Sequence, residues 1–442
     1  MSQYKAYPAY QKTDVEWIGK TPKSWQVKPI KIVASYNDDS LPESLPPDTL
    51  IEYVDISAVS HDQGITTSEK MLFGNAPSRA RRKAKVGDVV ISTVRTYLKA
   101  VASVEAPHAD CVFSTGFAVL RCRDNELKPA FLKWLTLNDL LIQAVESHSV
   151  GLSYPAISAS ELVNLKVSIP SLTEQSKIAS ILDQETARID ALIAKKARFV
   201  ELLNEKRQAL ITQVVTKGLD PSVRLKDSGL EWAGFVPNHW AVCKLSYRYS
   251  VELGKMLDEK KITGQHLVPY LRNKDVQWGS INSLDLPLMD ITPGETDRYT
   301  VKSGDLLVCE GGDVGRCAIW NGEDNVIGFQ KALHRLRAID AKKDLVEFYC
   351  FALLSAKTNG VFEEGDSKST ISHLPAEKFR EYRFPFPPIS EQRDIVEFLR
   401  KNLSRIDSLR EKTQRSIDLL KERRSAFITA AVTGQIDLRE AV

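Results

Sequence analysis

With 442 residues, 43% of them hydrophobic, the chain is long enough for two to four ordinary domains, each with its own core. Its 60 basic and 57 acidic groups leave a formal net charge of +3, so the total neither requires nor excludes nucleic acid, and only the placement of charge can decide. Apolar runs of a few residues and the polar opening MSQYKAYPAYQK argue against a membrane span or a secretory leader, and a cytoplasmic protein is expected.

Along the chain, Glu16-Trp-Ile-Gly-Lys-Thr-Pro-Lys-Ser-Trp25 comes first. Residues 26–168 then mix short β-rich runs with amphipathic segments. Strands are predicted at Asp88–Thr93 and Phe117–Cys122, and a helix over Pro129–Leu141. Before the turn at Gly87, PSRARRKAK carries Arg79, Arg81, Arg82, Lys83 and Lys85, a cluster suited either to neutralising phosphates and forking to guanine or simply to a solvated face. Ser147–Tyr154, SHSVGLSY, precedes the last strand of this region and offers Ser149, Ser153 and Tyr154 as polar and aromatic candidates.

From Ser171 the apolar residues follow helical spacing, at Ile178, Ile181, Leu182, Ile189, Leu192, Ile193, Val200, Leu203, Leu210, Ile211 and Val214. Thr173 is the expected N-cap and Lys217-Gly218 the stop. About 40 helical residues make a rod of about 60 Å. The polar stretch TKGLDPSVRLKDSG then reads as a linker ending at Gly229.

The second half restates the first. Glu231-Trp-Ala-Gly-Phe-Val-Pro-Asn-His-Trp240 matches the opening at an offset of 215, and Val86-Gly-Asp-Val-Val90 matches Ser303-Gly-Asp-Leu-Leu307 at 217. Strands are predicted at Asp305–Cys309 and Cys317–Trp320 and a helix at Lys343–Ser355. Tyr270–Trp278 reads as a strand end carrying Arg272, Asn273, Lys274 and Gln277. The loops Glu310–Arg316 and Gly365–Thr370 hold Arg316, Ser367, Lys368 and Thr370 within reach of an anion.

The closing helix repeats at a constant offset: Glu391 minus Glu174 is 217, as are Arg405 minus Arg188, Ala426 minus Ala209 and Thr433 minus Thr216. Over 169–220 about 20 of 52 aligned positions are identical, where ordinary residue usage gives about three. Ser390 is the second expected N-cap and Thr433-Gly434 the second stop. A charged rod with one apolar stripe needs a partner, either its own antiparallel duplicate or the same helix of a second chain. Phe199, Leu202, Leu419 and Val432 are candidates for apolar surface beyond that seam, or for completing it.

No phosphate-cradling glycine loop, zinc-peptidase motif, nucleophile elbow or aminomethyltransferase motif is present, and Asp258-Glu-Lys-Lys261 reads as a solvated charge run rather than a nuclease cluster. The six cysteines, scattered without metal-ligand spacing, are expected to be reduced and mostly buried. Catalysis by this chain alone is not expected.

The doubled pattern of Trp-x-Gly-x-x-Pro-x-x-Trp, Gly-Asp, Pro-x-x-(Ser/Thr)-Glu-Gln and Arg-Ile-Asp resembles the specificity subunits of type I restriction-modification systems. The resemblance implies an α/β (α+β) protein with two similar mixed α/β target recognition domains, separated by two long antiparallel helices in a pseudo-two-fold arrangement. Its parts would be recognition domain 1 (1–170), spacer helix 1 (171–222), recognition domain 2 (223–387) and spacer helix 2 (388–442). It implies a non-catalytic reader of an asymmetric bipartite site in double-stranded DNA, with half-sites about one helical turn apart. Partners would be two DNA adenine methyltransferase subunits and restriction (motor) subunits, with S-adenosylmethionine, ATP and Mg bound there, none by this chain, and no membrane contact. The rival readings are a coiled-coil adaptor that does not read DNA and a fused restriction-methylation enzyme.

Overall fold

A computed structural model describes residues 4–257, 263–322, 326–362 and 373–440. The chain divides into two compact units, Met1–Ala197 with Gln414–Val442, and Arg198–Thr413. Two long helices, Leu172–Lys217 and Ile389–Val432, are shared between them. The first unit holds the start of the first helix and the end of the second; the second unit holds the remainders.

The two units repeat one topology. In the first, a four-stranded antiparallel sheet runs in the order Val101–Ser103, Val89–Ser92, Phe117–Cys122, Ala34–Tyr36. In the second, the order is Cys317–Ile319, Leu306–Cys309, Leu333–Ala338, Tyr249–Leu253. Each unit adds a smaller sheet with one parallel pair, Leu50–Val54 with Val112–Ser114 and Leu267–Leu271 with Gly328–Phe329. In each, the strand before the long helix (Lys166–Ile169 or Arg383–Phe386) returns to pair with the strand after the opening tryptophan.

The repeated short motifs turn out to be structural. Gly87 and Gly304 both sit at φ +88°, a conformation that glycine adopts without penalty, and each turns the chain so that the next Asp faces inward. Asp88 accepts the Lys85 N–H and a forked pair from Arg121, with Nη2 at 2.7 Å; Asp305 accepts the Lys302 N–H and Arg337, with Nη2 at 2.6 Å. Both carboxylates are buried, and hydrogen bonding to Asp88 and Asp305 raises the pKa values of Arg121 and Arg337.

The Glu-Gln pair fastens each domain to its helix. Buried Gln175 accepts the Lys128 N–H at 2.8 Å and donates to the Glu126 and Pro170 carbonyls; buried Gln392 accepts the Leu345 N–H at 2.7 Å and donates to Lys343 and Pro387. Arg-Ile-Asp serves the seam: Asp190 meets Arg424 Nε at 2.9 Å, and Asp407 meets Arg207 Nε at 3.5 Å. Within each unit the helices therefore run antiparallel. Trp25 packs beside Gly434 at the end of the second helix, and Trp240 beside Gly218 at the end of the first, its indole N–H donating to Glu391 at 2.9 Å.

Several expectations need correction. The first helix begins at Leu172, with Ser171 accepting the Glu174 N–H, so Thr173 lies in the first turn rather than capping it. Ser390 likewise follows the start at Ile389, because Pro388 already holds the backbone φ a helix needs. Both helices do stop before Gly218 and Gly434. Pro129–Leu141 is two helices, Pro129–Thr136 and Asp139–Ser147, broken where the Asn138 carbonyl oxygen caps Leu140. The helix expected at Lys343–Ser355 spans Val346–Thr358, and part of the linker pairs as a hairpin, Leu225–Asp227 with Phe235–Pro237. All six cysteines are free. Among the described residues no helix is long and apolar enough to cross a membrane; Asp258–Lys261 lies outside them.

Candidate nucleic-acid interface

The basic run of the first unit forms an edge strand, Ala80–Lys83, bonded on one side to Val112–Ser114. Strand alternation and the following turn send its charges to different places. Arg79 bonds Asp55 at 2.8 Å and the Tyr53 hydroxyl at 3.1 Å, yet its head stays exposed. Arg81 stacks 4.8 Å over Phe73. Arg82 is partly buried; desolvation lowers its pKa, and its Nε has no hydrogen-bond partner. Lys83 and Lys85 are exposed beside Asp39, with Lys85 Nζ 3.9 Å from it. The adjoining cleft of about 780 Å³ takes Lys70, Lys83 and Lys85 but also Asp39, Glu52 and Asp110. The exposed cations of this edge are therefore Arg79, Lys83 and Lys85, with Arg81 half-buried over Phe73.

In the second unit the residues predicted on one strand end divide. Leu267–Leu271 gives way to a tight turn at Asn273–Asp275 before Val276–Gln277. Arg272 folds back on Asp275 in a two-pronged pair at 2.8 and 2.9 Å. Arg316 donates to the Asn273 backbone and side-chain oxygens at 3.0 and 2.8 Å, while Asn273 Nδ2 reaches the carbonyls of Gly311 and Ala332. Asn273 and Arg316 therefore brace the Glu310–Arg316 loop and Arg272 braces its own turn, leaving Lys274 and Gln277 exposed. Ser367, Lys368 and Thr370 lie outside the described residues.

The SHSVGLSY loop is present as a tight excursion. Ser149 faces inward, accepting from Thr96 at 2.9 Å and donating to the Val145 carbonyl at 2.8 Å, while Ser153 and Tyr154 are exposed. Sequence reading missed its neighbour: Arg95 lies with its guanidinium 5.0 Å over the Tyr154 ring, and Tyr97 and Lys99 project from the same turn. The available signal was an aromatic between two cations, ARG-Thr-Tyr-Leu-LYS, directly after a predicted strand.

Of the helix candidates, Phe199, Leu202 and Leu419 are exposed, but Val432 is 1% exposed in the core that holds Trp25. Its place two residues before Gly434, in a core that also takes in Tyr7 and Trp25, removes it as surface.

The model of the type I restriction modification DNA specificity domain matches residues 22–201 and 237–418, once in each half. The chain belongs to that family. It is 24% identical to the putative type I restriction enzyme MjaX specificity subunit of Methanocaldococcus jannaschii, over 97% of each chain. It is 21% identical to the type I restriction enzyme EcoKI specificity subunit of Escherichia coli K12, covering 95% of this chain and 90% of that one. Among solved structures, the HsdS subunit of Thermoanaerobacter tengcongensis aligns over 94% of this chain and 98% of its own, with a TM-score of 0.58 at 22% identity. A chain from a study of complex assembly and conformational transition in a type I R-M system aligns over 94% and 99%, with a TM-score of 0.76 at 22% identity. Family membership thus joins a fold whose two copies share buried braces and differ in their loops.

Proposed function

We propose that this chain is a DNA-specificity subunit whose two recognition domains each read one half of an asymmetric bipartite site in duplex DNA. The observation that carries the reading is the division of labour between repeated and unrepeated residues. Asp88 and Asp305, Gln175 and Gln392, and the two tryptophans do the same structural work in each unit. The loops that leave the same sheets differ: an edge strand carrying Arg81 and Lys83 with Arg79 and Lys85 at its ends in one unit, Lys274 and Gln277 beside a glycine-rich turn in the other. Two scaffolds of one design with unlike surfaces suit two unlike half-sites, since base edges are read by side chains while the scaffold only positions them.

In this reading the long helices set the gap between half-sites and dock two adenine methyltransferase subunits, with Phe199, Leu202 and Leu419 as apolar contacts. Restriction subunits join that complex. S-adenosylmethionine, ATP and Mg belong to the partners, and this chain supplies recognition rather than chemistry.

The test is to express the chain with the methyltransferase subunit encoded beside it, treat plasmid DNA with the complex and S-adenosylmethionine, and map N6-methyladenine by sequencing. One bipartite motif with one fixed gap is the expected result. Methylation without a motif would leave a docking scaffold only, and methyl transfer by the purified chain alone would favour the fused-enzyme reading. Arg79→Ala and Arg81→Ala are expected to weaken binding and its salt dependence, whereas Arg272→Ala is expected to act mainly on stability.

A further inference from the structure

In both units a strand–turn–strand connection leaves the main sheet at the same place, between Val89–Ser92 and Val101–Ser103 and between Leu306–Cys309 and Cys317–Ile319. The second unit uses Gly312 and Gly315 for its left-handed positions, at φ +72° and +81°. The first unit puts Arg95 and Lys99 there, both at φ +51°. Every other non-glycine residue with positive φ among the described residues is Asn or Asp, which tolerate it. Holding two long cationic side chains in this conformation costs roughly 1–2 kcal/mol each. Packing does not repay that cost, because Tyr97 and Leu98 between them are about half exposed.

The neighbouring loop is equally unusual. Val150 and Ala156 exchange backbone hydrogen bonds at 2.8 and 3.0 Å, closing a tight excursion whose tip is Leu152. Leu152 is fully exposed, at 105%, with Val150 at 81% and Tyr154 at 66%. Gly151 at φ +121° permits the turn, and a Cβ there would meet the Tyr154 carbonyl at 3.1 Å. The excursion is tied to the first turn by the Ile157 N–H to the Thr93 carbonyl at 2.9 Å, by the Thr96–Ser149 hydrogen bond and by Arg95 over Tyr154. Among the described residues no carboxylate lies within ion-pair reach of Arg95 or Lys99. The result is a closed apolar tip flanked by Arg95 and the Tyr154 ring, while Lys99, half-buried, lines a cleft with Asp62, Asp139 and Asp190.

We infer that this double loop is a wedge for duplex DNA, in which Leu152 enters between adjacent base pairs while Arg95 holds a flanking phosphate. The inference rests on the DNA-reading function proposed above. A membrane headgroup layer would also meet cations and an apolar side chain, but a single leucine on a closed turn buries too little to anchor there. A base step offers both what the tip lacks: stacked rings to cover the leucine and a flanking phosphate for Arg95. Because the tip is already closed, little conformational entropy is lost on insertion. The cation of the second unit's glycine turn, Arg316, is folded onto Asn273, so the distortion belongs to one half-site.

The experiment uses the full chain with its co-expressed methyltransferase subunit and duplexes of the mapped target carrying 2-aminopurine at successive positions. The wild type is expected to brighten one step in one half-site. Leu152→Ala and Leu152→Gln are expected to abolish that signal and weaken specific binding at least roughly tenfold, with Leu152→Met retaining both. Arg95→Gln is expected to weaken binding while leaving the step brightened in what remains bound. Specific binding with no brightened step, or brightening unchanged in Leu152→Ala, would overturn the wedge and leave DNA reading intact. Loss of sequence preference in the wild type would instead overturn the DNA-reading function, and the wedge with it.

Discussion

The two units of this chain share the order of the main four-stranded sheet, strand for strand, yet do not share their loops, and the residues that recur are those whose side chains point inward. Within one aligned strand pair, Phe117–Cys122 against Leu333–Ala338, Leu120 and Leu336 are both buried and Arg121 and Arg337 both grip a buried Asp. Two positions along the same strands, Ala118 stands opposite His334. The difference teaches that repetition marks the bracing and not the whole core. Where one unit fills space with a methyl group, the other admits an imidazole with its own hydrogen bond to the Leu374 carbonyl at 2.7 Å.

The largest effects are expected where the bracing is deepest. Trp25→Ala and Trp240→Ala each remove a fully buried indole, a loss of about 3–5 kcal/mol. The two should not be equal. Trp240 also donates to Glu391, whereas among the described residues the Trp25 N–H has no partner and the equivalent Glu174 accepts the Tyr7 hydroxyl at 2.6 Å. Denaturant unfolding should place Trp240→Ala lower by a further 1 kcal/mol or so. Asp305→Ala and Asp88→Ala sharpen the same contrast, since removing one partner of a buried pair costs about 3–5 kcal/mol. Arg121 keeps Asp39 at 3.0 Å when Asp88 goes, so Asp305→Ala should be the worse of the two; equal losses would break the comparison.

These asymmetries show what could be read from the sequence and what could not. The 217-residue offset disclosed the duplication, the stops of both helices and the Gly-Asp turn, because each depends on local chemistry or on identity between copies. The role of Gln175 was hidden, since its partners at Lys128 and Glu126 are nearly fifty residues away and are backbone groups without a signature. Arg272 and Arg316 looked like readers because composition cannot tell a cation facing solvent from one folded back on Asp275 or Asn273. Val432 was open between surface and seam, because the residues it clusters with, Tyr7 and Trp25, come from the other end of the chain. The Arg95 turn was passed over because left-handed backbone at Arg and Lys has no sequence marker, unlike glycine.

Acid should separate the units next. Burial draws His334 down from an ordinary 6.5 to about 4. Between those values the unfolded chain takes up a proton that the folded chain refuses, so stability is full above about pH 6.5 and declines as pH falls toward 4, by roughly 3 kcal/mol. Ala118 gives the first unit no such term. Hydrogen exchange across this range should show the strand Leu333–Ala338 losing protection ahead of Phe117–Cys122. His334→Ala should lose much of that pH slope, and a slope unchanged by the substitution would assign it to other groups.

The smallest effect concerns the seam, and it tests why the helices run as they do. Each copy of the repeat carries an Asp and, 17 residues on, an Arg: 207 minus 190 and 424 minus 407. An antiparallel pair brings Asp190 to Arg424 and Arg207 to Asp407 at once, and the sum of the paired numbers is 614 in both cases. Asn204 and Arg410, bonded at 3.4 Å, give 614 again. A parallel pair of the same sequences would set Asp against Asp. The carboxylates of these pairs are nearly half-exposed, so each pair contributes only about 0.2–1 kcal/mol, with Asp190–Arg424 at 2.9 Å above Arg207–Asp407 at 3.5 Å. Arg424→Asp alone sets two carboxylates together and should destabilise beyond Arg424→Ala; combining it with Asp190→Arg should restore most of the loss. A double-mutant cycle that returns no coupling would mean that the apolar stripe alone fixes the direction of the helices, and that the repeated Arg-Ile-Asp is retained for something outside the seam.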